Sequence, residues 1–219
     1  MSQKTKILLV DDHPLVREWL ATLINQQTDL AVCGETDSAP KALQLLSVVK
    51  PEIAIVDISM EGGSGLELIK NIRASNPDIM VIVLSMHDEA LYAERALRAG
   101  ARGYIMKRDA TKGVLHAIRC VLSGKLYLSD KRAMHMAEKF VAGHPTAPGS
   151  VVENLSDREL EVFQLLGLGY STKRIAEELH VSVKTIQAFC ARIKEKLSLA
   201  TATELMREAT RWHDSQQES

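Results

Sequence analysis

Cysteine is scarce: Cys33, Cys120 and Cys190 are the only three, and no two stand in a CxxC pair. An odd, scattered set offers neither a disulfide framework nor a zinc site, so reduced thiols in a cytoplasm are expected. Long apolar runs are missing as well. None approaches the roughly 18 residues a membrane span requires. The opening Met1-Ser2-Gln3-Lys4-Thr5-Lys6 leads into a strand-like run without a signal-peptide cleavage site, so a soluble cytoplasmic protein with no membrane partner is expected. Nor does one sign of charge dominate. With 27 Lys plus Arg against 28 Asp plus Glu the formal charge is -1, and nothing global announces a polyanion partner. What is present is an ordinary globular composition, 46% hydrophobic and 25% charged, on 219 residues, a length that suits two domains.

The first half alternates short apolar runs with amphipathic stretches, the pattern of buried parallel strands joined by crossover helices. Five strands are expected at Lys6–Val10, Leu30–Glu35, Ile53–Val56, Ile79–Leu84 and Gly103–Met106. Pro14 suits a first helical position, and Leu15, Val16, Trp19, Leu20, Leu23 and Ile24 recur at helical spacing after it. Asp88 can cap a helix ending at Gly100, and Val114, Leu115, Ile118, Val121 and Leu122 stripe a fifth. Together these form a (βα)5 domain over residues 1–124. Residues 125–152 read as a linker with one helix at Tyr127–Ala142, followed by the Gly- and Pro-rich Gly143–Ser150. Leu155-Ser156-Asp157-Arg158-Glu159-Leu160 then combines a capping box with a hydrophobic staple and opens an all-α domain over 153–215.

In a doubly wound sheet, ligands bind beyond the carboxyl ends of the strands. The first polar residues there are Asp11 and Asp12, Asp57, Ser85 and Lys107. Each alone is an ordinary strand or turn terminus. As a set they form a chemical unit: clustered carboxylates repel until a hard cation neutralises them, and Mg2+ prefers oxygen ligands. Such a cation would bridge to phosphate oxygens. Lys107 would offset charge on a transferring phosphoryl group, Ser85 would bond another oxygen, and Asp57 would be the nucleophile.

The segment Asp11-Asp12-His13-Pro14, Asp57 with Met60 and Gly62 after it, Ser85, and the spacing from Tyr104 to Lys107 resemble the receiver domain of two-component response regulators. The resemblance implies a flavodoxin-like fold and Mg2+ held by Asp11, Asp12, Asp57 and the backbone carbonyl of Ser59. It also implies Asp57 as phosphoacceptor from a sensor histidine kinase, Lys107 and Ser85 as the catalytic pair, and a switch made by Ser85 and Tyr104. Glu61 departs from the family, which usually has proline there. His87 and Ser59 lie beside the expected route of an attacking water, which predicts that they tune the lifetime of the phosphorylated state.

In the second half, Ser171–Leu179 reads as a short helix, His180-Val181 as a turn, and Ser182 as the cap of a longer helix. On the longer helix Ile186, Phe189, Ile193 and Leu197 recur on one face, which places Phe189 in the core. Residues 182–197 carry four basic groups and one acid, whereas 151–219 carry nine basic and eleven acidic, so any DNA-binding face must be local. Leu155 to Glu159, Ile175-Ala176, Val181 to Ile186 and Lys196-Leu197 together resemble the four-helix LuxR-type DNA-binding domain. With the receiver in front, the chain resembles the NarL/FixJ group of response regulators. That resemblance implies double-stranded promoter DNA as partner, with Lys184, Thr185 and Ala188 facing bases and Ser182, Arg192 and Lys173 near phosphates. It further implies a homodimer paired through a last helix at Thr203–Trp212. Phe189 stands where histidine is frequent in that family, so beside the core place that its period favours, replacement of one DNA contact stays open.

Two other readings stay open on the residues. A Mg-dependent aspartyl phosphatase shares the nucleophile, but such enzymes carry a second aspartate two residues on, where this chain has Ser59. A DNA-binding regulator with a receiver fold that no longer depends on phosphorylation is the other.

Overall fold

A computed structural model describes residues 4–60, 63–141, 152 and 154–217. The chain divides into two compact units, Met1–Gly143 and His144–Ser219. Glu61, Gly62 and the Gly143–Ser150 segment lie outside the described residues.

In the first unit five strands, β1 (Thr5–Val10), β2 (Leu30–Thr36), β3 (Ile53–Val56), β4 (Met80–Ser85) and β5 (Gly103–Met106), form one parallel sheet in the order β2-β1-β3-β4-β5. All four residues of β3 are buried because helices cover both faces. Ile7, Leu9, Ile53, Ile55, Ile82 and Leu84 pack on α1 (Pro14–Asn25) and α5 (Ala110–Leu122) through Leu20, Ile24, Val114 and Ile118. Successive strand residues alternate faces, so Leu8, Val10, Ala54, Val56, Val81 and Val83 meet α2 (Ala39–Val49), α3 (Gly65–Ser75) and α4 (Glu89–Ala99) on the other side. This is the doubly wound flavodoxin-like arrangement, and its order reverses between β1 and β3, where a cleft opens past the strand ends.

Several element ends differ from their sequence reading: β1 begins one residue earlier, at Thr5, and β2 ends one residue later, at Thr36. The fourth strand begins at Met80 rather than Ile79, whose amide donates to Asn76 O at 3.1 Å and belongs to the preceding turn. The helix expected from Tyr127 begins at Asp130, as α6 (Asp130–Val141), because Tyr127 is tied to the sheet edge. Its amide donates to Arg102 O at 3.0 Å and its carbonyl accepts from Tyr104 N at 2.9 Å.

The second unit is helical: α7 (Asp157–Gly167), α8 (Thr172–Glu178), α9 (Val183–Lys196) and α10 (Ala202–Gln217). Ser156 caps α7 in a reciprocal box with Glu159. Leu160, Phe163, Ile175, Ile186, Ile193, Leu205 and Ala209 are buried together, and Phe163 meets Trp212 with ring centroids 5.7 Å apart. His180 turns the chain between α8 and α9 at φ 51, so the two helices form a helix-turn-helix. The last helix is longer than Thr203–Trp212, running to Gln217.

Gly65, at the start of α3, lies under the phosphoacceptor candidate: a Cβ there would fall 1.9 Å from Asp57 O and 2.8 Å from Ile58 Cα. Backbone cannot yield as a flexible side chain does. Gly65→Ala should therefore destabilise the first unit by about 1–3 kcal/mol in urea unfolding; an unchanged midpoint would contradict this packing.

Candidate functional site

Asp11, Asp57, Ser85 and Lys107 are brought to one end of the sheet by three strands and the turn after β5. The β1–β3 ladder continues one bond past the strand ends, with Asp57 N donating to Val10 O at 2.8 Å, so the acids of the two strands sit side by side. Asp11 and Asp57 are each 3% exposed. Lys107 Nζ bridges them, 2.8 Å from Asp11 Oδ2 and 2.7 Å from Asp57 Oδ2. Asp12 joins through His13, whose Nδ1 lies 2.7 Å from Asp12 Oδ1 and 3.1 Å from Asp11 Oδ1. Arg17 donates to the Asp11 carbonyl and anchors β1 to α1.

Electrostatics at this end of the sheet are unbalanced. Burial pushes the Asp57 carboxyl up to about 6, with Lys107 opposing and Asp11 and Asp12 adding to the rise. Burial alone would lower Lys107, yet the Asp57 and Asp11 carboxylates hold its ammonium above the usual lysine range. One ammonium thus serves a cluster in which ligand atoms of Asp11, Asp12, His13 and Asp57 all lie within 4.8 Å of one another. Such a donor set, mostly carboxylate oxygen and short of positive charge, fits a hard divalent cation. Ser59 N donates to Asp57 Oδ1 at 3.4 Å, which keeps the backbone of Ser59 beside the carboxylate.

A second group of side chains borders the cluster. Ser85 is fully buried and accepts from His87 N at 3.2 Å. Tyr104 is 1% exposed and donates its hydroxyl to His87 O at 2.9 Å. Burial drives its phenol well above the ordinary tyrosine range, against a hydrogen bond with Ser85. Ser59 Oγ lies 2.6 Å from His87 Nε2, and the His87 ring stacks on Tyr92 at 4.5 Å. Sequence reasoning placed Ser59 and His87 beside the same water route but did not foresee that they bond each other. Their separation of 28 residues carries no local signal.

On the second unit, Lys184, Ala188 and Arg192 are exposed and follow one another every four residues along α9, so they share one face. Lys173 is exposed on α8. Ser182 caps α9 by accepting from Thr185 N at 3.1 Å, and its hydroxyl lies 2.8 Å from Thr185 Oγ1, so these two side chains occupy each other. Phe189 is only half-buried rather than part of the core, because α9 turns that position toward Arg192, whose guanidinium lies 4.8 Å from its ring centroid. Two features went unread in the sequence. Arg174 stacks on Tyr170 at 3.6 Å, a contact their four-residue spacing could have signalled. Glu159 ion-pairs with Lys196 at 2.7 Å, a contact with no signal across 37 residues.

The raised Asp57 carboxyl has a consequence for stability. Its folded pKa, about 6, exceeds the reference value of 3.8, so the cation-free fold gains stability below pH 3.8 and loses it as pH rises through about 6. The loss is on the order of 1–3 kcal/mol. Urea unfolding at pH 5 and pH 8 without divalent cations, wild type against Asp57→Asn, should show that slope for the wild type and a flatter one for the variant. Equal slopes would contradict the rise of the Asp57 carboxyl on burial.

Comparison with known proteins places these features. Residues 7–119 match the response regulator receiver domain, and residues 153–209 match the bacterial regulatory proteins of the luxR family. The oxygen regulatory protein NreC of Staphylococcus aureus is 36% identical over 205 residues, covering 92% of this chain and 94% of that protein. A LuxR-family two-component response regulator from Aurantimonas sp. SI85-9A1 superposes with a TM-score of 0.59 at 32% identity, over 64% of this chain and 99% of that one. RcsB of Salmonella enterica serovar Typhimurium, solved bound to promoter rprA in the presence of phosphomimetic BeF3-, gives 0.61 at 25% identity over 95% and 99%. Among the described residues no helix is long and apolar enough to cross a membrane. The chain belongs to the NarL/FixJ family of two-component response regulators, a receiver domain joined to a LuxR-type helix-turn-helix, and it is a DNA-binding transcription regulator of that family.

Proposed function

We propose that Asp57 accepts a phosphoryl group from a sensor histidine kinase and that this controls promoter binding by the second unit, as a homodimer in the cytoplasm. The domain division is receiver 1–124, linker 125–152 and DNA-binding domain 153–215. The observation that carries the reading is the buried bridge from Lys107 to Asp11 and Asp57. Buried, paired acids with a surplus of negative charge are suited to receive a cation and then a phosphoryl group.

Asp11, Asp12, Asp57 and the Ser59 carbonyl would hold Mg2+, which supplies charge neutralisation to the phosphoryl oxygens. In the transfer, an Asp57 carboxylate oxygen forms the bond to phosphorus as the phosphorus–nitrogen bond of a phosphohistidine breaks, and the departing imidazole takes up a proton. Lys107 moves with the phosphoryl oxygens and stabilises their charge; Ser85 donates its hydroxyl to another. Ser85 thereby gives up its bond with Tyr104, and the altered Tyr104–His87 contact passes the change to α4. The chain performs only its own phosphotransfer and dephosphorylation and is not otherwise an enzyme.

On DNA, Lys184, Thr185 and Ala188 would face base edges from α9, with Ser182, Arg192 and Lys173 near phosphates. The exposed side of α10, lined by Thr203, Met206, Arg207 and Thr210, supports pairing of two copies. The RcsB complex with promoter DNA supports this assignment of partner.

A second reading, in which DNA binding does not wait for phosphorylation, draws on Tyr104, which is buried with its hydroxyl on His87 rather than exposed. One experiment separates the two. The full chain is treated with a small phosphodonor with and without Mg2+, and promoter binding and size in analytical ultracentrifugation are followed for wild type and Asp57→Asn. The proposal expects Mg2+-dependent dimerisation and tighter DNA binding in wild type only; regulated binding that survives Asp57→Asn supports the second reading. A strictly monomeric complex with DNA would refute the dimer.

The contact between Ser59 and His87 gives a further expectation. Ser59→Ala and His87→Ala should each change the first-order loss of the phosphoryl group severalfold, because each alters the approach of water to phosphorus. Unchanged rates in both would exclude that role.

A further inference from the structure

We propose that Glu159 and Phe189 act as a positioning pair that holds Arg192 ready for a DNA phosphate. The proposal rests on the reading of α9 as the DNA-facing helix and adds how one of its contacts is set.

Glu159 is a buried acid, 3% exposed, in the first turn of α7. Capping alone uses one oxygen: Oε2 accepts from Ser156 N at 2.8 Å and from Lys196 Nζ at 2.7 Å. Its other oxygen, Oε1, lies 3.5 Å from Arg192 Nε. Burial would raise this carboxyl, but the Lys196 and Ser156 bonds hold it below the usual glutamate range, so it stays ionised beside the arginine.

Arg192 is meanwhile 54% exposed, and its guanidinium rests on the Phe189 ring at 4.8 Å. Among the described residues no partner meets its two Nη groups. An arginine whose Nε faces a carboxylate and whose plane is backed by an aromatic ring presents the two-donor end of its fork outward, the geometry that phosphate oxygens accept. Exposed arginines ordinarily lose considerable rotamer freedom on binding, and one held in advance loses less. Phenylalanine has no hydrogen-bond donor to offer DNA. Its ring contributes through Arg192 instead.

The same contacts would also serve a purely structural role, tying α7 to α9, so the test must separate the two. Binding of the full chain to the duplex it selects from a randomised library is measured across a salt series, with thermal unfolding alongside. Glu159→Gln keeps an oxygen for the Ser156 amide, and Phe189→Leu keeps apolar bulk. Arg192→Ala should weaken binding about tenfold and lower the salt slope by about one. Glu159→Gln and Phe189→Leu should each weaken it about threefold or more when Arg192 is present and have no effect in the Arg192→Ala background. Equal losses in both backgrounds would make the pair structural and overturn the proposal. Tighter binding by Glu159→Gln would also overturn it, by showing that the carboxylate competes with DNA for the guanidinium. If the wild type binds and Arg192→Ala leaves affinity and slope unchanged, the positioning pair alone is refuted; if the wild type selects no duplex, the DNA-facing reading of α9 fails as well.

Discussion

Two carboxylates buried side by side cannot both remain ionised in a protein interior without a cation, and the receiver is arranged around that problem. Asp11 and Asp57 directly follow adjacent parallel strands, so the ladder sets their backbones side by side. Lys107, on a third strand end, satisfies both at once. One positive charge is too few for the cluster, and burial, with Asp11 and Asp12 adding to it against Lys107, pushes the Asp57 carboxyl up to about 6. The Asp57 carboxyl is thereby held in a state that a divalent cation would relieve.

Rearrangement at such a site propagates only if neighbouring groups have alternatives. Under the proposed phosphorylation Ser85 and Tyr104 would provide them, since each has a hydrogen bond that a phosphoryl oxygen could displace or redirect. His87 joins the two halves: its backbone receives Tyr104, its amide meets Ser85, and its ring meets Ser59 and Tyr92. Tyr104 also donates its amide to Tyr127 O, three residues before α6, so β5 is tied to the segment between α5 and α6.

The parts of this arrangement that sequence exposes are those with a period or a position. β3 and β5 were legible to the residue because four-residue apolar runs bounded by polar groups admit few alternatives. The cap of α7 was legible because Ser156 and Glu159 signal each other locally. Tyr127 was misread as helical because its local pattern does not report the free edge of β5, and Phe189 was misread as core because a four-residue period does not fix how far a face extends. Strand-end residues were legible as a set because parallel topology brings them to one edge. The Ser59–His87 and Glu159–Lys196 contacts depend on distant segments meeting in space, which no window along the chain contains.

Among several neighbouring acids, the proposed mechanism makes Asp57 alone the group that forms the bond to phosphorus. Its most direct test is to react the full chain with a small phosphodonor in Mg2+, reduce the acyl phosphate with borohydride, and locate the reduced residue by mass spectrometry. Reduction at Asp57 alone is the predicted result; labelling of Asp11, Asp12 or a histidine in its place, or none at all, would contradict it.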